Sequence, residues 1–319
     1  TVALSQKAMA FIRRVLLLFL KLCLIHNDCA ALSTSIVSSH ADGRFIAKGY
    51  NRFVSRVSYD GTAFKGFQVQ AAGGARTVQG ELEKSLQTVM QERCRVVAAS
   101  RTDSGVHSRG QCVHFDVPKA WGTPEQLGDK LNQLLPSDVK VWNCTYAPEI
   151  GTHGDLPWHA NIASTGKLYT YRWRVARHMD PLSRVDRSHY YKGALDVSKM
   201  RACLSQFEGT HDFSSFGNRL ARKEAANEGV PLDSHRHISR IELIEEDDCG
   251  LDFRLEFELD GALYKMVRNI VGMIHDVGSG QCCSADIPVV MAQKNRTVNP
   301  SRAARPQGLT LEHVFYDRY

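Results

Sequence analysis

The sequence predicts an α+β fold, because segments with strand periodicity and segments with helix periodicity succeed one another along the chain beyond residue 50. Residues 53–59, FVSRVSY, alternate apolar and polar side chains, which is typical of a strand with one buried face. Residues 78–91 place apolar side chains at helical spacing, and Thr77 stands where an N-cap is expected. A chain of 319 residues is long enough for two domains, each with its own core.

The first half of the chain has the element order of a ferredoxin-like unit. After the first strand and helix, the patterning predicts strands at 95–99 and 110–117, a helix at 127–135 and a strand at 139–146. The resulting order, β-α-β-β-α-β, is the ferredoxin-like arrangement. We therefore assign residues 51–150 to an N-terminal α/β domain.

The second half mixes the same two kinds of element, and we assign residues 151–319 to a C-terminal α/β domain. The predicted strands are 168–175, 238–244, 251–259 and 308–316, and the predicted helices are 197–207 and 267–277. Residues 217–234 are charged and unpatterned, which is typical of a flexible insertion.

Residues 1–50 differ in kind from the rest and are predicted to be a leader. Arg13 and Arg14 precede an apolar run at 15–25, which is shorter than the about 20 residues that a membrane span needs. A small-residue stretch and a Ser-rich, acid-free stretch follow, up to His40. This pattern predicts a targeting segment for a plastid or mitochondrion, and no membrane anchor in the mature protein. A disordered extension of a cytoplasmic protein is the alternative.

The composition favours a soluble globular protein with a polyanionic partner. Hydrophobic residues make up 43% and charged residues 23% of the chain, both ordinary values. The net charge of +6 favours RNA, because Lys and Arg displace counterions from phosphates. In the charged insertion, Arg219, Arg222 and Lys223 would contact RNA or form an ordinary solvated loop. The nine cysteines include no Cys-x-x-Cys pair, which argues against a structural zinc site.

The segment 100–110 carries the most informative chemistry. Asp103 lies between two predicted strands, with Gly105 after it to allow a tight turn. A carboxylate in this position either serves in catalysis or caps the turn. A metal site formed by Asp103, His107, Cys112 and His114 is a further interpretation, but their spacing matches no known zinc geometry.

Residues 101–107, RTDSGVH, followed by Gly110, Gln111 and Phe115, resemble the signature of the TruA family of tRNA pseudouridine synthases. Further segments resemble motifs of that family in the same order: 59–68, 77–83, 131–138, 167–171, 209–216, 266–272 and 308–309. The resemblance extends from about residue 53 to residue 319. It implies the pseudouridine synthase fold, in which two ferredoxin-like, RRM-like halves share a mainly antiparallel sheet with a central RNA cleft.

The resemblance implies an isomerase that converts uridine to pseudouridine in the anticodon stem-loop of tRNA, at positions 38–40, without a cofactor or metal. It also implies a homodimer. Two alternatives stay open. One is an enzyme of the same family that acts on another tRNA site or another RNA, and the other is a catalytically silent RNA-binding relative.

The resemblance also implies roles for particular residues. Asp103 is the catalytic carboxylate, acting as nucleophile or base, and Arg268 is the cation that pairs with it. Tyr169 stacks on the target base and serves in proton transfer, although Tyr171 shares its strand face and core packing is the alternative. Arg101 and His107 are assigned to substrate binding.

Two positions depart from the family pattern. Asn161 stands where the family has an arginine, and Ala262 stands where it usually has a phenylalanine. The first replacement is expected to remove one cation from the RNA path.

Overall fold

The computed structural model describes residues 43–70, 73–149, 156–190, 195–218 and 233–317. Residues 1–42 of the predicted leader lie outside the described residues, whereas 43–50 are described and Tyr50 begins the first strand. Arg219, Arg222 and Lys223 also lie outside the described residues. No helix in the described ranges is long and apolar enough to cross a membrane.

The first half of the chain follows the predicted element order. It comprises β1 (Tyr50–Tyr59), α1 (Val78–Met90), β2 (Val97–Ala98), β3 (His107–Pro118), α2 (Pro124–Leu134) and β4 (Val139–Tyr146). Thr77 caps α1 as predicted, since its side chain accepts from the Gly80 amide. Helix α2 begins earlier than predicted, because Thr123 and Gln126 form a capping box ahead of it.

The second half contains β5 (Gly166–Val175), β6 (Ser188–Tyr190), α3 (Val197–Leu204), β7 (Gly209–Asp212), β8 (His235–Glu245), β9 (Asp252–Leu259), α4 (Met266–Gly278), α5 (Asp286–Ala292) and β10 (Leu309–Phe315). The short elements β6, β7 and α5 were not predicted. The predicted helix 197–207 ends three residues early, because the Phe207 amide bonds to the Leu204 carbonyl in a tighter turn.

The ten described strands form one sheet in the order β4-β1-β3-β10-β5-β9-β8-β7, with β2 beside β3 and β6 beside β5. Every pairing is antiparallel except β3 with β10 and β5 with β6. The prediction of an α+β fold with a mainly antiparallel shared sheet is therefore confirmed. The division at residue 150 stays a prediction; in the sequence it falls between β4 and β5, and both strands belong to the same sheet.

Two clusters of buried apolar side chains stabilise this sheet. The first cluster packs β1, β3 and β4 against α1 and α2, around Phe53, Val57 and Leu82. The second packs β5, β8 and β9 against α3 and α4 and includes Trp173. In α4 every residue except Asp276 is buried, so this helix lies inside the protein rather than on its surface.

Strand β10 joins the two halves of the sheet, because it lies between β3 and β5. We call this junction of β3, β10 and β5 the seam. On one side Leu311 pairs with Ser108 of β3, in parallel, and on the other it pairs with Tyr169 of β5. The Ser108 hydroxyl also donates to the Leu311 carbonyl at 3.0 Å. Ser108, Leu311 and Tyr169 therefore form one row across three strands, which brings the loop before β3 close to β5.

Candidate active site

The loop between β2 and β3 carries Asp103, and contacts on both sides hold it in place. The Thr102 hydroxyl lies 2.7 Å from the Tyr59 hydroxyl, and its carbonyl accepts from the Phe67 amide at 3.1 Å. The Ser104 hydroxyl donates to the Phe64 carbonyl at 3.1 Å. Asp103 is therefore presented by an anchored loop, which is what precise placement of a reacting carboxylate requires.

Two glycines allow this loop its path. Gly105 has φ of +77°, so the tight turn predicted after Asp103 is present. Gly66 has φ of +95°, and a Cβ atom there would lie 2.9 Å from the Thr102 carbonyl oxygen. A larger residue at position 66 would push against the backbone that carries Asp103.

Asp103 and Arg268 form an ion pair although they are distant in the sequence. The Arg268 Nη1 donates to the Asp103 Oδ2 at 3.1 Å, and the side chains are 10% and 14% exposed, respectively. The Arg268 Nε donates to the Ala304 carbonyl at 2.8 Å, which orients the guanidinium from its other side. Helix α4 supplies Arg268 in its first turn. A cation held so close favours the ionised carboxylate.

Tyr169 lies in the wall of the same site. It is 5% exposed, and its hydroxyl lies 2.8 Å from the Ser100 hydroxyl. Burial, with a smaller effect of the nearby Asp103 carboxylate, raises the pKa of Tyr169 to about 12. The phenol therefore keeps its proton at neutral pH. Tyr171, on the same strand face, instead bonds to Ser188 and to the Arg305 carbonyl.

These groups open onto a cavity of about 730 Å³, which is large enough for a nucleotide drawn out of a stem. Asp103, Tyr169, Arg268 and the exposed Arg101 all line it. Further charged side chains line it as well: Arg44, Arg95, Lys167, Arg236, Asp260 and Lys265. The cations outnumber the carboxylates, so the cavity favours an anionic ligand.

The structure does not bring His107 to this cavity. Its ring is buried, and its Nδ1 accepts from the Gly61 amide at 3.0 Å, so it holds the turn that follows β1. Burial lowers the pKa of His107, which favours the neutral ring in that role. Val106 still lines the cavity, and His107 follows it as the first residue of β3, outside the lining. Its assignment to substrate binding has no geometric support.

The residues of the metal interpretation are also separated. His114 is buried, and its Nδ1 accepts from the Ala160 amide at 3.1 Å. Over the described ranges, no group of three or more His, Cys, Asp or Glu side chains is arranged to hold a metal ion.

Sequence reasoning missed several groups at the site. Lys167, Arg236 and Lys265 line the cavity, but only the resemblance of 167–171 could have indicated the first of them. Asn161, at which the resemblance implies an arginine in the family, donates through its side-chain amide to the Ala99 carbonyl. The asparagine therefore anchors the chain just before the Asp103 loop.

Comparison with known proteins places this chain in a family. The tRNA pseudouridine synthase family matches residues 56–155 and 203–317. A tRNA pseudouridine synthase A of Bacillus pumilus is 39% identical over 264 residues, which are 82% of this chain and 97% of the relative. One from Geobacillus is 38% identical over 83% of this chain and 98% of its own length. The tRNA pseudouridine synthase A 1 of Protochlamydia amoebophila is 36% identical over 82% and 94%.

Among solved structures, a crystal structure of a Cbf5-Nop10-Gar1 complex aligns with 70% of this chain and 54% of that chain. The sequence identity is 10% and the TM-score is 0.28, which is too low to inform fold or function. The extent and identity of the sequence matches are sufficient by themselves. The chain belongs to the tRNA pseudouridine synthase family.

Proposed function

We propose that this chain isomerises uridine to pseudouridine in tRNA, with Asp103 as the catalytic carboxylate. The observation that carries the proposal is the Asp103–Arg268 ion pair inside a basic cavity, in a member of the tRNA pseudouridine synthase family. Membership in this family makes the chain an isomerase. The ion pair supplies the carboxylate that the reaction needs inside the cavity.

The reaction rearranges one nucleotide without adding or removing atoms. The N1–C1′ bond breaks, the uracil turns, and C5 bonds to C1′. C5 loses its proton and N1 gains one, so no oxidant, reductant or second substrate is consumed. An ionised carboxylate beside the nucleotide can attack it as a nucleophile or act as a base.

The residues around the carboxylate support distinct roles. Arg268 pairs with the Asp103 carboxylate, and the protonated Tyr169 lies in the cavity wall where it can face the base. Arg101 is exposed at the cavity, on the same loop as Asp103, which suits a contact with the backbone of an extruded nucleotide.

The proposed sites are uridines 38–40 of the anticodon stem-loop. One cavity can serve neighbouring uridines only if the tRNA is held by shape and backbone rather than by flanking bases. Pseudouridine mapping on a panel of unmodified tRNAs tests this proposal. Modification of a single sequence-defined site, of another arm or of another RNA would favour the alternative substrates.

The decisive experiment compares wild type with Asp103→Asn in a tritium-release assay on tRNA that carries 5-tritiated uridine. Because the substitution keeps the shape and removes the charge, we expect turnover to fall by roughly 10²–10⁴-fold, with little change in tRNA binding. Asp138→Asn is the matched control, since Asp138 also pairs with an arginine, Arg76, at 2.6 Å but lies outside the cavity lining.

An inactive wild-type protein that binds tRNA would support the silent RNA-binding relative instead. Substantial tritium release by Asp103→Asn would contradict the assignment of the carboxylate.

Two further properties belong to the proposal. We infer a homodimer from the family resemblance, and sedimentation of the purified protein measures it directly.

We also infer organellar import from the composition of residues 1–50. A fusion of that segment to a fluorescent protein that stayed diffuse in the cytosol would contradict import.

A further inference from the structure

Two hydroxyl pairs connect the Asp103 loop to the two halves of the protein. Thr102 pairs with Tyr59 of β1 at 2.7 Å, and Ser100 pairs with Tyr169 of β5 at 2.8 Å. Only the second pair includes an aromatic side chain that lines the cavity. Ser100 is therefore the direct contact between the loop that carries the carboxylate and the tyrosine that faces the substrate.

The backbone of Ser100 is fixed at both of its polar groups by one side chain. The Gln111 Oε1 accepts from the Ser100 amide at 3.2 Å, and its Nε2 donates to the Ser100 carbonyl at 2.8 Å. Gln111 has no exposed surface. The Gln111 amide donates to the Ser108 hydroxyl at 2.8 Å, and that hydroxyl donates to Leu311. Ser100 is thus tied to the seam.

The backbone and ring of Tyr169 are also held in place, and only the direction of its hydroxyl proton is not. Its backbone lies between β10 and β9, paired with Leu311 and Phe257, and its ring is buried. A phenol can donate one hydrogen bond and accept others, and a serine hydroxyl can do the same. In this pair one hydroxyl donates and the other accepts. The direction of the Ser100 bond therefore decides where the Tyr169 proton points.

We infer that Ser100 is a positioning residue for the isomerisation: held by Gln111, it orients the Tyr169 hydroxyl beside Asp103. The inference rests on the proposed function, because it assigns Tyr169 a part in the reaction. Ser100 also lines the cavity, and the inference assigns its effect to the Tyr169 hydroxyl rather than to a contact with the nucleotide.

The test measures kcat, KM for tRNA and Tm for Ser100→Ala and Ser100→Thr. Ser100→Ala should lower kcat about 3- to 10-fold, the contribution of one hydrogen bond, with KM and Tm near those of wild type. Ser100→Thr keeps the hydroxyl, so kcat should stay near the wild-type value. Ser100 is only half-buried, so the added methyl group can point to the open side. In a Tyr169→Phe background, Ser100→Ala should have no further effect on kcat.

Ser188→Ala is the matched control. It removes the same kind of bond, Ser188 to the Tyr171 hydroxyl at 2.7 Å, on the same strand face but outside the cavity lining. We expect it to lower Tm and leave kcat unchanged.

The Cζ resonance of Tyr169 in protein with ¹³C-labelled tyrosine reports the Ser100 bond without turnover, and should shift in Ser100→Ala only.

Three results would overturn the inference: wild-type kcat in Ser100→Ala, an equal loss of kcat in Ser188→Ala, or an unshifted Tyr169 resonance. Failure of the proposed function has a different signature, since the wild-type protein itself would then release no tritium.

Discussion

Arg268 shows how much one side chain contributes at this site. Its guanidinium contacts the Asp103 carboxylate through Nη1 and the Ala304 carbonyl through Nε, at 3.1 and 2.8 Å. Two contacts in fixed directions require the planar fork of an arginine, and an ammonium group cannot make both in the same way. Because the pair is largely buried, loss of either member leaves the other charge without compensation.

We therefore predict that Arg268→Lys lowers kcat about 10²-fold and moves the acidic limb of the pH–rate profile to higher pH. A weaker cation contact lets the carboxylate take up a proton more readily. Single-turnover rates measured across pH 5–8 test this. Arg172→Lys is the control, since Arg172 pairs with Glu246 and Glu312 away from the cavity. A profile identical to that of wild type would refute the pairing role.

The sequence predicts which residues lie at the site better than it predicts the hydrogen bonds among them. Asp103, Tyr169 and Arg268 lie in recognisable segments, and the structure places all three at one cavity. The hydrogen bond of Ser100 with Tyr169 depends on the register across the seam, and its bonds with Gln111 depend on the pairing of β2 with β3; local patterning encodes neither. His107 belongs to the same segment as Asp103, but its ring contacts the Gly61 amide in the turn after β1 and not the cavity, a contact that local patterning does not reveal.

The central helix α4 carries a second notable residue, His275, which lies two turns after Arg268 and outside the cavity lining. Its ring lies 4.3 to 6.1 Å, centroid to centroid, from Tyr190, Trp173 and Tyr171. Within the described part of the chain, neither ring nitrogen has a hydrogen-bond partner. Burial alone lowers the pKa of His275 to about 3, so the folded protein holds this ring neutral.

We predict that the protein loses stability as the pH falls below about 6.5, the pKa of histidine in an unfolded chain. Between that pH and about 3 the unfolded state binds a proton that the folded state does not, so acid favours unfolding. At pH 5 the loss amounts to about 2 kcal/mol. Denaturant unfolding of wild type and His275→Phe at pH 8 and pH 5 measures it.

The variant should be relatively more stable than wild type at pH 5 than at pH 8, because it has no proton to take up at this position. An equal difference at both pH values would show that His275 titrates normally in the folded protein.

Element length explains which elements could be predicted. Strand β4 was predicted to the residue, and α1 ends one residue early, where Gln91 adopts a left-handed cap with φ of 58°. Strands β6 and β7 have three and four residues, too few to show a period. Helix α5 has seven residues and no side-chain cap, so it lacks the usual start signal.

The cations that line the cavity come from both halves of the chain. Arg44, Arg95 and Arg101 come from the first half, and Lys167, Arg236 and Lys265 from the second. A bound RNA backbone would therefore touch both halves. Lys265 is unusual among these residues, because its φ of 62° is a left-handed conformation that a lysine rarely adopts.

We predict that Lys265→Asn weakens tRNA binding and reduces the slope of log Kd against log salt by about one. Asparagine tolerates the left-handed backbone, so the substitution removes the charge without straining the turn. Filter binding between 50 and 200 mM salt tests it. Lys199→Asn is the control, because Lys199 is exposed and pairs with Asp196 outside the cavity lining. An unchanged slope would mean that no phosphate passes Lys265.

The seam also has a consequence for how the protein is made. Ser108 and Leu311, which meet there, are 203 positions apart. A ribosome adding about 5–20 residues per second needs roughly 10–40 s to cover that distance. A chain whose translation stops between β3 and β10 carries Asp103 without β10, and it also lacks Arg268 if it stops before that residue. Such a chain lacks part of the ion pair or of the sheet around the Asp103 loop, so the candidate site is complete only in chains translated through β10.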